Sequence, residues 1–238
     1  VAATLAFTLS AVGAKAPEER RKQRGVDSLR DGIVYIRRRP ALNFLIFFIG
    51  VHCVLTMAYQ GVLPSVVQRD LGAAAGGYGT VMTAIGVGAV LGSLLLSRIQ
   101  TPQPMGRALW VTTFLSGVSV MLLGLATSLD VAVLAGFLMG FSQTPFMALT
   151  QVYLQERVEN AYRGRVTSLR AVVTQGTMSL GNWVWGLAAL ILPPGPLLLG
   201  LGGIFVGAAA LAQRRSPTFQ RLLFPTLPKA AELPAQPL

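Results

Sequence analysis

The sequence predicts an all-α integral membrane protein built as a bundle of six transmembrane helices. Three observations predict it. Of the 238 residues, 53% are hydrophobic and only 12% charged, with a mean hydropathy of +0.58, whereas a soluble domain carries about 25% charged residues. Six separate stretches are long and apolar enough to cross a bilayer. The basic residues cluster in alternate connections between those stretches. Intrinsic disorder is excluded by the hydrophobicity. An intrachain disulfide is excluded because Cys53 is the single cysteine, and a multi-histidine metal site because His52 is the single histidine.

A hydrocarbon core about 30 Å thick takes roughly 20 apolar helical residues. The predicted spans are Ala41–Leu63, Tyr78–Ser97, Ala108–Ser128, Val131–Tyr153, Val166–Leu192 and Leu197–Ala212. Pro64 ends the first. A glycine-rich run over residues 72–79 precedes the second, and Thr101-Pro102-Gln103-Pro104 divides the second from the third. Residues 127–130 form a tight turn before the fourth span. Pro193-Pro194-Gly195-Pro196 cannot continue a regular helix, because proline lacks the amide donor and clashes with the preceding turn. It therefore forces a hairpin before the sixth. Arg170, one turn inside the fifth span, is expected to snorkel to the interface.

The net charge is +11, carried by 17 arginines and 3 lysines against 9 acids. A nucleic-acid surface would gather such charge on one face; here it is parcelled between apolar spans. Residues 15–40 hold nine basic residues, 98–107 two, 154–170 four and 213–238 four, while the intervening connections hold only Arg69. The positive-inside rule assigns the rich set, 19 of 20, to the cytoplasm, with both ends of the bundle inside. The arginine bias with abundant Ala and Gly suggests a GC-rich bacterial source.

Residues 1–14 are apolar, lack a basic leader and are too short to span, so they read as the end of a preceding helix. Residues 15–40 read as a basic cytoplasmic loop, residues 41–212 as the bundle, and the proline-rich residues 213–238 as a disordered cytoplasmic tail. Within the loop, Leu29, Ile33 and Ile36 share a helical face. This predicts an amphipathic helix on the leaflet, held by apolar burial and anionic lipid. It serves either as a topology anchor or in conformational coupling. In Gln155–Leu169, Glu156 and Glu159 stand close enough in sequence to pair with Arg163 and Arg165 around Gly164. Glu156, Arg157, Arg163, Gly164 and Arg165 are thus either a cytoplasmic gate or simple anchoring charge.

Two motifs carry a family resemblance. Residues 30–40 (RDGIVYIRRRP) lead into a span, and Gln155-Glu156-Arg157-Val158 is followed by Arg163-Gly164-Arg165-Val166-Thr167-Ser168-Leu169 between two later ones. Both resemble the C-terminal half of major facilitator superfamily exporters of the enterobactin-exporter and macrolide-efflux branch, the transmembrane secretion effectors. The resemblance covers nearly the whole chain. It implies the six-helix C-terminal half of a twelve-helix fold, partnered by an N-terminal six-helix half. It also implies a small amphipathic substrate, such as a siderophore or drug, exported across a bacterial inner membrane by alternating access. No cofactor and no metal is implied. Two positions depart from the family pattern: Glu159 stands where proline is usual, and Ser97 where the loop motif carries an acid.

In this superfamily substrate binds near the midplane between the two halves, so polar residues inside spans become candidates. His52, Thr56, Tyr59 and Gln60 share a face of the first span. Gln143, Met147 and Gln151 share one in the fourth. Gln175, Ser179 and Asn182 share one in the fifth, followed by Trp185. These three spans correspond to the family's cavity-lining helices. Two readings stand: cavity lining, or hydrogen bonding between helices. His52 is either a proton-coupling group or a neutral hydrogen-bonding one. Gly88 and Gly92 predict close helix packing, Pro145 a kink, and Trp183 with Trp185 an outer-interface position. No nucleophile–base constellation is present to support an enzyme. The rival from another class is a non-transporting six-span assembly or sensor protein.

Overall fold

The computed structural model describes residues 30–72, 75–98 and 102–215. The expected helix end over residues 1–14, most of the basic loop, and the tail beyond residue 215 lie outside the described residues. Among the described residues there is no strand.

Helix α1 covers residues 30–37. It ends because Arg39, preceding a proline, is extended at φ −124°, ψ 97°. Pro40 then opens α2 (Pro40–His52) from the first turn, where its missing N–H is harmless. The chain continues from α2 through a π-helical turn, Cys53–Met57, and a 3₁₀ turn, Ala58–Gly61. A short helix α3 (Leu63–Ser65) and a second π-helical turn, Val66–Asp70, follow. Pro64 therefore does not end the helical path. It sits in the first turn of α3, a position proline tolerates, and the path runs on to Asp70 before Gly72 turns it at φ +56°.

The remaining long helices are α4 (Ala75–Ser97), α5 (Pro102–Gly124), α6 (Leu129–Arg157), α7 (Arg163–Ile191) and α8 (Pro194–Arg215). Helix α5 begins and ends earlier than the hydropathy suggests. The Ser128 hydroxyl accepts from the Val131 amide at 3.4 Å and starts α6, which runs unbroken through Pro145. Five helices are long and apolar enough to cross a membrane: Pro40–Gly61, Gly76–Ser97, Met105–Gly124, Leu129–Arg157 and Pro194–Arg214. Helix α7, at 29 residues, is ample in length. Arg170, Gln175, Asn182 and its Ser and Thr residues make it the least apolar of the set.

Helix α6 is the hub. It packs against α4 and α5, α5 packs on α8, and α7 packs on the irregular stretch after α2. Small residues set these distances. A methyl group on Gly88 would run into the Phe137 carbonyl oxygen, and one on Gly140 into that of Ile85. The α4–α6 crossing therefore brings backbone against backbone, as the Gly88–Gly92 spacing predicts. One apolar cluster, centred on Phe48, Phe146, Phe205 and Leu149, fills the end near α1. A second, around Leu63, Val81, Met139 and Leu198, fills the other. Helices α4 and α7 are covered on one side only and present long exposed faces.

Candidate functional site

The irregular backbone after α2 explains many of the polar residues around it. A π turn shifts carbonyls out of the i→i−4 ladder, and inside a membrane each displaced group needs a partner. Gln143 of α6 donates its Nε2 to the Thr56 carbonyl at 2.9 Å. Trp185 of α7 donates its indole N–H to the Val54 carbonyl at 2.8 Å. Three residues earlier on α7, Asn182 accepts from the Gly61 amide at 2.9 Å. Three side chains from two helices thus splint one break.

His52 sits just before the break and is fully buried. Its ring stacks on Phe146 at 3.9 Å between centroids and meets Phe205 edge-on at 5.2 Å. Its Nε2 lies 2.9 Å from the Ser116 hydroxyl of α5. Thr56, also buried, donates back to the His52 carbonyl at 2.8 Å. Tyr59 is buried in the second apolar cluster. The structure therefore divides the sequence-predicted set. His52, Thr56, Tyr59 and Gln143 point into the six-helix unit. Met147, Gln151 and Asn182 are half-buried. Gln60, Gln175 and Ser179 are exposed. The last three flank one seam: Gln60 adjoins the Gly61–Asn182 contact, and Ser179 and Gln175 lie one and two turns before Asn182.

Arg170 does not snorkel outward. Its guanidinium turns in and donates to the Met147 carbonyl of α6 at 2.9 Å. Trp183 is exposed, whereas Trp185 is turned inward by its bond to the Val54 carbonyl. Arg69, the one basic residue of the charge-poor connections, donates to the Ala189 carbonyl at 2.8 Å. A cation at a helix C-terminus offsets the unpaired carbonyls there.

The end near α1 holds the second assembly. Tyr35 stacks on Tyr162 at 4.2 Å, and the Arg39 guanidinium lies 3.9 Å above the Tyr35 ring. Arg39 pairs with Glu159, whose amide donates to the Tyr35 hydroxyl at 3.1 Å. Arg165 pairs with Asp31 at 3.4 Å. Two charges of the 155–165 segment thus pair with α1 and the residues just after it rather than with each other: Arg165 with Asp31 in α1, and Glu159 with Arg39. Glu156 and Arg157 are exposed, Arg157 lying over Tyr153, and Arg163 donates to the Val158 carbonyl at 3.4 Å. Gly164 faces open space. Helix α1 docks through Gly32, Tyr35 and Ile36, leaving Ile33 exposed, so its buried face is rotated from the Leu29–Ile33–Ile36 stripe. Leu29 lies outside the described residues.

Sequence reasoning passed over Ser116, Asp31, Tyr35 and Arg39 as partners. Ser116 lies in a hydroxyl row with Thr112, Thr113 and Ser119 on one side of α5, all buried. That row was the available signal. Nothing local in the sequence announces the pairing of α1 with a segment more than 120 residues away.

Residues 2–231 match the family model described as transmembrane secretion effector. The chain belongs to the transmembrane secretion effector family, within the major facilitator superfamily. No match was found among curated proteins or among solved structures. Membership, together with the apolar helices, supports a multi-pass membrane transporter, a class that takes small-molecule substrates in a lipid surround. Among the described residues no cluster of His, Cys, Asp or Glu could hold a metal ion.

Proposed function

We propose that the chain is the C-terminal half of a secondary transporter that exports a small amphipathic molecule, such as a siderophore or drug, by alternating access. Its partner is an N-terminal six-helix half of the same protein, in a bacterial inner membrane with the α1 end in the cytoplasm. The observation that carries this reading is the exposed polar seam of Gln60, Gln175 and Ser179, the last two on α7, the least apolar of the long helices. A polar group in a span is costly against lipid, so it belongs to a water-filled cavity or a protein neighbour. The one-sided packing of α4 and α7 supports a second bundle along both. The buried members of the polar set hold the six-helix unit together, and substrate contact falls to the seam. The Arg39–Glu159 and Arg165–Asp31 pairs are the gate charges that part when the α1 end opens. Glu156, Arg157 and Arg163 stand around them, with Gly164 as the pivot.

The test is dye efflux from cells stripped of their own pumps and carrying the full-length transporter. Gln175→Leu combined with Ser179→Leu should slow efflux roughly tenfold or more, the cost of about one unmade hydrogen bond, at unchanged membrane abundance. Efflux at the wild-type rate would remove the seam from the substrate path. Loss of the protein from the membrane in that variant would assign the two residues to packing instead.

A further inference from the structure

Between α1 and the connection from α6 to α7 lies a groove of about 530 Å³. The stacked rings of Tyr35 and Tyr162 form part of its lining. Four arginines line it, Arg30, Arg38, Arg39 and Arg165, against two carboxylates, Asp31 and Glu159. Each carboxylate already has its cation, Asp31 in Arg165 and Glu159 in Arg39. Among the described residues Arg30 and Arg38 have no carboxylate partner. The groove thus keeps two positive charges in excess on guanidiniums that do not lose their proton.

Arg30, Val34 and Arg38 follow one another at i, i+4 and i+8, and all three are exposed. The two arginine Cα atoms stand about 12 Å apart by helical rise, so their side chains can close on one anion from both ends. A guanidinium offers a planar fork of donors that matches phosphate oxygens in pairs. The surroundings favour a lipid as the bearer of that phosphate. Val34 and Ile33 leave 44% and 39% of their surface uncovered beside the arginines. Helix α1 also ends just before the membrane span that opens at Pro40, which puts the groove at headgroup level.

We propose that the groove between α1 and the α6–α7 connection binds the headgroup phosphate of an anionic phospholipid, held by Arg30 and Arg38 with the acyl chains beside Val34 and Ile33. The lipid would then bridge two segments that otherwise meet through a tyrosine stack, the Glu159–Tyr35 hydrogen bond and two exposed ion pairs. The inference does not depend on the direction or substrate of transport.

Native mass spectrometry of the full-length protein in detergent tests it, with phosphatidylglycerol and phosphatidylcholine as probes. Phosphatidylglycerol should bind the wild type. Arg30→Gln with Arg38→Gln should weaken it roughly thirtyfold, the worth of two basic residues at an anionic surface. Arg107→Gln with Arg214→Gln removes the same charge at exposed positions away from the groove and should change binding less than about twofold. An equal loss in that control would reduce the effect to net charge and overturn the proposal. Phosphatidylcholine binding as tightly would overturn the anionic selectivity. Displacement by millimolar inorganic phosphate would make the ligand a soluble phosphate and overturn the lipid assignment. If the glutamine pair fails to fold, the pair Arg30→Lys and Arg38→Lys decides. Loss of the planar fork should still weaken phosphatidylglycerol roughly threefold, and no change would overturn the proposal.

Discussion

Asn182 shows how a polar residue in a span can be bonded between helices while its polar neighbours one and two turns away are exposed. Its Oδ1 accepts the Gly61 amide at the break after α2, whereas Ser179 and Gln175 on the same helix are exposed. Interhelical hydrogen bonds in membranes average about 0.6 kcal/mol, with a maximum near 1.7. Asn182→Ala should therefore destabilise the protein by about 0.5–1.5 kcal/mol, read as a lower unfolding midpoint in mild denaturant. Efflux per folded molecule should be largely kept. His52 makes the complementary case. It is enclosed by Phe146, Phe205 and Ser116, and among the described residues no carboxylate faces it. His52→Gln should lower stability yet leave the pH profile of efflux where it is. A shifted profile would restore His52 to proton coupling.

At the scale of elements, two kinds of contact hold the helices, and they differ in cost. The α4–α6 crossing is backbone on backbone, so bulk there has nowhere to go. Gly140→Ala should cost about 1–3 kcal/mol through forced separation of the helices. Gly86→Ala, whose methyl meets open space, should be neutral or slightly stabilising by helix propensity. Thermal unfolding of the two variants side by side separates packing from propensity. Docking of α1 rests on the other kind of contact. Tyr35 is 8% exposed, stacked and hydrogen-bonded, so Tyr35→Ala should cost about 2–4 kcal/mol. The Arg39–Glu159 pair is 40% and 60% exposed, and Glu159→Gln should cost less than about 1 kcal/mol. Helix positions were readable because hydropathy over some 20 residues is a strong, local signal. The break after α2 was not. Its sequence, CVLTMAYQG, is apolar enough to pass for regular helix, and the π turn persists because Gln143, Trp185 and Asn182, all distant in sequence, satisfy what it exposes. For the same reason the polar stripes read from periodicity mixed two roles. Periodicity gives the face of a helix but not which neighbour that face meets.

For the whole molecule, the governing asymmetry is charge. Nineteen of 20 basic residues fall on one set of connections, and the exception, Arg69, is engaged with a helix end rather than left on a surface. Two connections at opposite ends of the bundle make the orientation measurable. Thr127 lies in the turn before α6, which carries no basic residue, and Asn160 in the 3₁₀ turn before α7; both are exposed. Helix α6, at 29 residues and about 1.5 Å per residue, separates them by more than the bilayer core. Cys53 is buried, so a Cys53→Ala background removes the one thiol of residues 1–238 without touching either connection. In that background Thr127→Cys should react with a membrane-impermeant maleimide in intact cells. Asn160→Cys should react only after the membrane is opened. The reverse pattern would put the basic connections outside, contrary to the positive-inside rule. The proposed gate charges at the α1 end would then face the exterior, and the proposed direction of opening would have to be inverted with them.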